Sequence, residues 1–483
     1  MSEVEERNQE SVATGMETAW TSRLSRREFV QKVGLAAVGL GAGPYILTAC
    51  GGGTSSAGGG GGARSQLTIL QWSHFVPRYD TWFDAYIKQW GEANNVNVKV
   101  DHINQADLPA RTAAEVNAGS GHDLIEWIAP PSALEPSVLD LTDVVQEAEK
   151  KYGSQLAVCK ASTYNPTTKK YFGFCHSWSP DPGDYRKSLW TKAGMPNGPV
   201  TYDDLLNVGT TIKQQSGVRV GIGMSQEQDS NMAARALLWS YGASVQDAHE
   251  NVVLDSDATR EAVNFMVKLF KQAMTNEIFS WTAASNNQGL VAGQLSYILN
   301  SISAYRTAQQ TRPDIADDIF FRPALQGPTG KGFASEHVIM IYIIPKWSKN
   351  VDKAKQFLLD LVGHTSDIVY QSELYNFPAF SKTNAQQKLF SAGGWLDKDP
   401  FGSHPADKLS LLKNAASWSV NVGYPGPSNA AIGEIFDTFV LPNMMASAAR
   451  GTKTVDQAVS DAAAQCRQIF AKWRQQKLVG GGS

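Results

Sequence analysis

The residues with the most specific chemistry stand near the start of the chain. Leu47-Thr48-Ala49-Cys50 sets a thiol directly behind apolar and small residues, the arrangement of a lipobox, in which Cys50 is acylated and the preceding residues are removed. Upstream, Ser25-Arg26-Arg27-Glu28-Phe29-Val30-Gln31-Lys32 satisfies the S-R-R-x-F-[LV]-x-K pattern of twin-arginine export signals. Val33 to Ala49 between them is broken by Gly34, Gly39, Gly41, Gly43 and Pro44, and it is shorter than the ~20 apolar residues a membrane span needs. Residues 1–49 therefore read as a signal that is cut away. Two acyl chains hold a membrane stably where one does not, so the expected location is outside the cell interior, lipid-anchored to the outer face of the cytoplasmic membrane.

Three other cysteines remain, in a compartment where disulfides persist. Cys159 and Cys175 lie sixteen residues apart and could staple a hairpin or loop, while Cys466 falls on a predicted helix as a buried free thiol. Catalytic and cofactor motifs do not survive inspection. Gly327-Pro328-Thr329-Gly330-Lys331-Gly332 has glycine where a phosphate loop needs Ser or Thr, and Leu325 where it needs its first glycine. Gly221-Ile222-Gly223-Met224-Ser225-Gln226 lacks both the third glycine of a dinucleotide fingerprint and the closing glycine of a nucleophile elbow. No H-E-x-x-H occurs and the eight histidines are scattered, so no metal and no cofactor are expected. A pair of carboxylates for sugar hydrolysis is defined by separation in space, which keeps an exported glycan-active enzyme as the alternative reading.

Tryptophans at strand ends are the remaining candidates: Trp72, Trp127 and Trp178. In open α/β sheets ligands bind beyond the carboxyl ends of strands, and indole faces suit the apolar faces of sugar rings; the competing reading for each is core packing. Charge excludes a polyanion partner. The 43 basic and 46 acidic residues fall to 38 and 40 once the five and six in residues 1–49 are removed, and no basic stripe appears, so nucleic acid is not a partner.

The elements that must position these residues follow from periodicity. Residues 50–65 are a Gly/Ser-rich linker leading away from Cys50. Beyond it, roughly 410 residues exceed the ~250–300 that one core supports, so two lobes are expected. Leu67 to Trp72 reads as a buried strand. Tyr79, Trp82, Phe83, Tyr86, Ile87 and Trp90 mark one face of a helix, and Val96, Val98 and Val100 a second strand. Asp107 and Pro109 open a helix ending at Gly119 before a strand at 123–128, and Thr201 to Asp204 resembles a capping box for a helix stopping at Gly217. Further strands are expected at 218–224, 295–299, 319–321 and 338–344, with helices at 229–241, 256–275 and 350–362, and a largely helical final hundred residues. The alternation implies an α/β fold with mainly parallel sheets flanked by helices.

Taken in order, several segments resemble the extracellular solute-binding proteins of sugar-type ABC importers, the maltose-binding-protein-like family. They are Leu67 to Trp72, Gly121-His122-Asp123-Leu124-Ile125-Glu126-Trp127, Ala193-Gly194-Met195 with Thr201 to Leu206, Gly289 to Tyr297, Pro323 to Pro328, and Ile344 to Asn350. The resemblance implies a two-lobed periplasmic-binding-protein-like fold of type II with the ligand cleft between lobes. One lobe would take 66–176 and 332–378, the other 177–331 and 379–477, with 478–483 as a disordered tail. It also implies capture of a mono- or oligosaccharide, delivery to the permease subunits of an ABC transporter by cleft closure, no catalysis, and a monomer. Ligand-binding positions carried over are Trp72, His74, Trp127, Trp178, Glu227, Asn300, Glu336, His337 and Tyr424. Asn300 to Ser303 stand where relatives carry a stacking aromatic, which argues against a long maltodextrin unless Tyr305 substitutes. A non-sugar solute on the same fold, such as a polyamine or glycerol-phosphate, is the other alternative, with arginines in the cleft as the mark of an anionic one; Arg186, Arg235 and Arg306 are the candidates.

Overall fold

A computed structural model describes residues 64–482; the expected signal and most of the expected linker, Cys50 included, lie outside the described residues. Strand β1 (Ser65–Trp72) is followed by the helix Pro77–Ala93, with proline in its first turn, where a missing N–H costs nothing. Tyr79, Phe83, Tyr86, Ile87 and Trp90 bury the face that the spacing predicts. Burying several such aromatics at ~25 cal/mol per Å² makes this helix a major contributor to the first core. Strands β2 (Val96–Ile103) and β3 (Leu124–Trp127) pair with β1 in parallel, and the helix between them, Leu108–Ala118, ends at Gly119 with φ 61°, a conformation that glycine adopts without strain.

The chain then adds β4 (Phe174–Ser179) to the same sheet and crosses over to a second one. That second sheet holds β5 (Gly183–Arg186), β6 (Arg219–Gly221), β7 (Leu295–Leu299) and β8 (Ile319–Arg322), after which β9 (Val338–Ile343) and β10 (Phe377–Pro378) return to the first. The orders are β10-β4-β9-β3-β1-β2 and β8-β5-β7-β6. The two-lobed α/β expectation holds, but the sheets are mixed rather than mainly parallel. Strands entering from the other lobe run against their neighbours: β9 is antiparallel to β3 and β4, and β5 is antiparallel to β7 and β8. A strand arriving by crossover need not obey the βαβ rule that fixes direction within one lobe.

Helix Tyr202–Ser216 carries the expected reciprocal cap between Thr201 and Asp204 and stops at Gly217, φ 75°. The strand expected over 218–224 is only three residues long, because the chain turns away after Gly221 to start the helix Gln228–Ser240.

Two further expectations are corrected at the end of the chain. Residues 385–418, assigned with the second lobe, pack on both. Phe390 lies against Phe377, and Trp395 and Phe401 against Tyr370, while Lys408 Nζ donates to Ala316 O across 2.9 Å. The tail is not disordered over its described part: Asn165 Nδ2 donates to Leu478 O (2.9 Å), Gly480 N to Glu250 Oε2 (2.7 Å), and Val479 is buried. Free backbone groups there found partners, which fixes the segment.

Cys159 and Cys175 are free thiols, both buried, and Cys175 donates to Ser177 O at 3.3 Å; the bridge considered from their spacing is not formed. Cys466 is a buried free thiol on the helix Val455–Gln475. Among the described residues no helix is long and apolar enough to cross a membrane.

Candidate functional site

Between the lobes lies a cleft of about 880 Å³. Its first wall is built from three parallel strands that all end there. Beyond β1 come Ser73 and Phe75, beyond β2 the stretch Asn104–Ala110, and β3 delivers Trp127, Ile128 and Ala129. This is the position that the strand-end rule assigns to a ligand. Asn104 holds the β2 loop in shape by accepting from Ala106 N at 3.0 Å.

The second wall has a different origin. It consists of the turn Gln226–Gln228 that opens helix Gln228–Ser240, the loop Trp281–Ala284, and Phe436, Asp437 and Phe439 at the end of helix Ala430–Asp437. Gln226 Nε2 donates to Asn443 Oδ1 (3.2 Å) and Asn231 Nδ2 to Phe436 O (3.0 Å), which locks the first and last of these pieces together. Gln105 of the first wall donates to Gln228 of the second, and Gln228 Nε2 in turn donates to His337 O at 2.6 Å.

Of the residues named from sequence, Trp127 and Glu227 line the cleft. Trp127 is 6 % exposed, packs on Leu108 and Ile125, and has an indole N–H with no partner; Gln105 Oε1 of the neighbouring loop is also unpartnered. Glu227 caps its helix, accepting from Asp229 N and Ser230 N, each at 2.6 Å. Burial, with Asp229 alongside, pushes its carboxyl up to about 8.

The other seven lie elsewhere. Trp72 stacks on His74 at 4.9 Å behind Phe75, which takes the surface position in front of it. His74 bonds Asn376 Oδ1 at 2.9 Å and receives Val76 N, and burial lowers its pKa to about 4, so it is a neutral core imidazole. Trp178 is buried against Phe377. Asn300 is buried and donates to Asn287. Glu336 is buried, accepts from Ser162 Oγ at 3.1 Å, and is pushed by burial up to about 8. His337 pairs with Asp181 at 3.0 Å; burial opposes its charge, yet the carboxylates of Asp181, Asp229 and Glu227 leave its pKa above the usual value. Tyr424 packs edge-on to Trp239 and against Phe333. Strand ends and crossovers are crowded with packing, and these seven side chains are used by it.

Sequence reasoning missed Phe75, Gln105, Trp281 and the Phe436 to Phe439 stretch. The first two follow strands already identified, so the strand-end rule could have found them. Trp281 stands in an aperiodic loop, and nothing local marks 436–439 as a partner of 226–228.

The arginines also find places away from the cleft. Arg186 pairs with Asp318 at 2.6 Å, Arg306 with Asp399 at 2.7 Å, and Arg235 is buried behind Phe436 with Nε donating to Val422 O. Among the described residues no group of three or more His, Cys, Asp or Glu is arranged to hold a metal ion.

Residues 85–397 match the profile of a family described as bacterial extracellular solute-binding protein. A binding protein of Brucella abortus strain 2308 and one of Brucella suis biovar 1 are each 24 % identical over 148 residues. That alignment takes in 30 % of this chain and 36 % of theirs, so the chain matches about a third of the length of these curated relatives. Among solved structures, the maltose-bound MalE3 of T. maritima is 18 % identical with a TM-score of 0.69, over 84 % of this chain and 100 % of its own. A sugar transporter of Arthrobacter chlorophenolicus A6 with bound laminaribiose is 14 % identical with a TM-score of 0.69, over 84 % and 99 %. At such identities the structural likeness speaks for the fold.

Proposed function

Because the chain belongs to the bacterial extracellular solute-binding proteins, we propose that it is the capture subunit of an ABC importer, tethered through acylated Cys50, and that its solute is a mono- or oligosaccharide passed to the permease without chemical change. The observation that carries this reading is the cleft: about 880 Å³ between two lobes, with the indoles of Trp127 and Trp281 on opposite walls and amides of Gln105, Gln226 and Gln228 beside them. Apolar faces for ring carbons and amides for hydroxyls are the mixture a small polar ligand needs. The fold shared with maltose- and laminaribiose-bound proteins supports it. A glycerol-phosphate or other anionic solute loses its support, since the candidate arginines are bound elsewhere.

The lobes close on the solute only so far as it binds the closed form better than the open one. Titrating the purified protein with a panel of neutral mono- and disaccharides should quench or shift tryptophan emission. A ligand at a hundred times its Kd should stabilise the fold by about 2.7 kcal/mol. Absence of any saturable response, or turnover of a glycan, would overturn the proposal.

A further inference from the structure

The charge of the cleft is one-sided. Its lining holds three carboxylates, Asp107 on the first wall and Glu227 and Asp437 on the second, and neither lysine, arginine nor histidine. The nearest guanidinium on the second wall, Arg235, sits 4.9 Å behind the Phe436 ring, with Nη1 held by Asn231 Oδ1 at 2.7 Å. Its guanidinium lies outside the lining, although its charge is felt by Asp437. Asp437 ends helix Ala430–Asp437, where the carbonyl pole adds negative potential, whereas Glu227 sits at the amide pole of helix Gln228–Ser240, which its carboxylate offsets. Phe75, Trp127, Trp281, Phe436 and Phe439 surround these groups with ring faces that attract cations.

An independent mark of a ligand is the Trp127 indole N–H, which is 94 % out of solvent with no acceptor and lines the same cavity. It requires a solute with a hydrogen-bond acceptor as well as positive charge, which a sugar hydroxyl supplies and a bare alkylamine does not. Glu227 and Asp437 both line the second wall, whose two pieces are joined by the bond from Asn231 to Phe436 O.

Resting on the reading of this cleft as a carbohydrate site, we infer that its solute is a sugar bearing a protonated amine, with the ammonium between Glu227, Asp437 and the Phe436 and Phe439 rings and the sugar ring towards Trp127 and Trp281. An ammonium between two carboxyl groups in a partly dry cleft makes charge-assisted hydrogen bonds that a neutral hydroxyl does not.

The test is calorimetric titration of the full protein with three disaccharides of one shape: cellobiose, the β-1,4 dimer of glucosamine, and the same dimer N-acetylated. Spermidine is the fourth probe. The glucosamine dimer should bind at least tenfold more tightly than the other two sugars, with an advantage that shrinks as salt rises. Asp437→Asn, at an exposed position, should cut the ratio of glucosamine-dimer to cellobiose affinity at least fivefold. Equal or tighter binding of cellobiose or of the acetylated dimer overturns the inference and leaves the carbohydrate reading standing. Binding of spermidine alone, or of none of the four, overturns the inference, and the carbohydrate reading falls with it only where the panel of neutral mono- and disaccharides also gives no saturable response.

Discussion

Two of the places where the lobes meet are built on opposite terms. At the back, helix Ser303–Thr311 of the second lobe is fastened to residues 365–418. Arg306 and Asp399, 2 % and 0 % exposed, form an ion pair, Arg306 Nε also donates to Glu373 O at 2.9 Å, and Tyr305 OH reaches Ser403 Oγ at 2.8 Å. The two buried charges of Arg306 and Asp399 match each other, as burial demands. At the front, across the cleft, Gln105 reaches Gln228, while the Trp127 N–H and Gln105 Oε1 stay unpartnered. The back is held by a buried, matched ion pair, whereas the front is held by an amide link from Gln105 to Gln228 with polar groups beside it unpartnered.

The largest expected effect comes from breaking the back. Arg306→Ala leaves Asp399 buried and unpaired and should cost about 3–5 kcal/mol of stability, read as a fall in the denaturation midpoint with solute affinity of the folded fraction little changed. If affinity collapsed while stability held, the contrast between the regions would be wrong.

Glu336, at the return crossover, is the next in size. Its pKa in the folded protein is about 8 against an ordinary 4.5, so between those values the folded state keeps a proton that the unfolded chain releases. Stability from this group is fully present below about pH 4.5 and is lost as pH rises to 8, by at most about 1.4 kcal/mol per pH unit. Glu336→Gln should flatten that slope in melting curves taken from pH 5 to 8, and an unchanged slope would assign the loss to another group.

Smaller changes belong to the front. Trp127→Phe keeps the packing on Leu108 and removes the N–H, and should weaken the preferred solute by about 1 kcal/mol, near fivefold, with stability nearly intact. Unaltered affinity would take the indole N–H out of the site. Gln105→Ala removes the link to Gln228 and should lower stability by about 1 kcal/mol or less; its signature is a larger radius of gyration of the unliganded protein in small-angle scattering.

Much of the first wall is legible in one dimension. The helix face from Tyr79 to Trp90, the stop at Gly119 and the presence of three strands, at Leu67 to Trp72, from Val96 and over 123–128, follow from local periodicity, capping and glycine chemistry. Strand ends alone do not separate Trp72 from Trp127, however. Both close parallel strands, and only the tertiary stack of Trp72 with His74 and Phe75 puts it behind the surface. The second wall was illegible for another reason: Gln226 to Gln228 and Phe436 to Phe439 meet through the hydrogen bonds of Asn231 and Asn443, between segments two hundred residues apart. The strand directions failed for the same cause, because crossovers between lobes leave no periodic trace.

The buried thiols have a practical consequence for watching this protein move. Cys159, Cys175 and Cys466 are each 0 % exposed, and burial pushes the Cys466 thiol up to about 12 and raises that of Cys159. Maleimide dyes attack exposed thiolates, so the described part of the native chain is chemically silent to them. One cysteine introduced at an exposed position on each lip of the cleft would carry a donor and an acceptor dye without Cys159, Cys175 or Cys466 being replaced, and opening could be followed one molecule at a time.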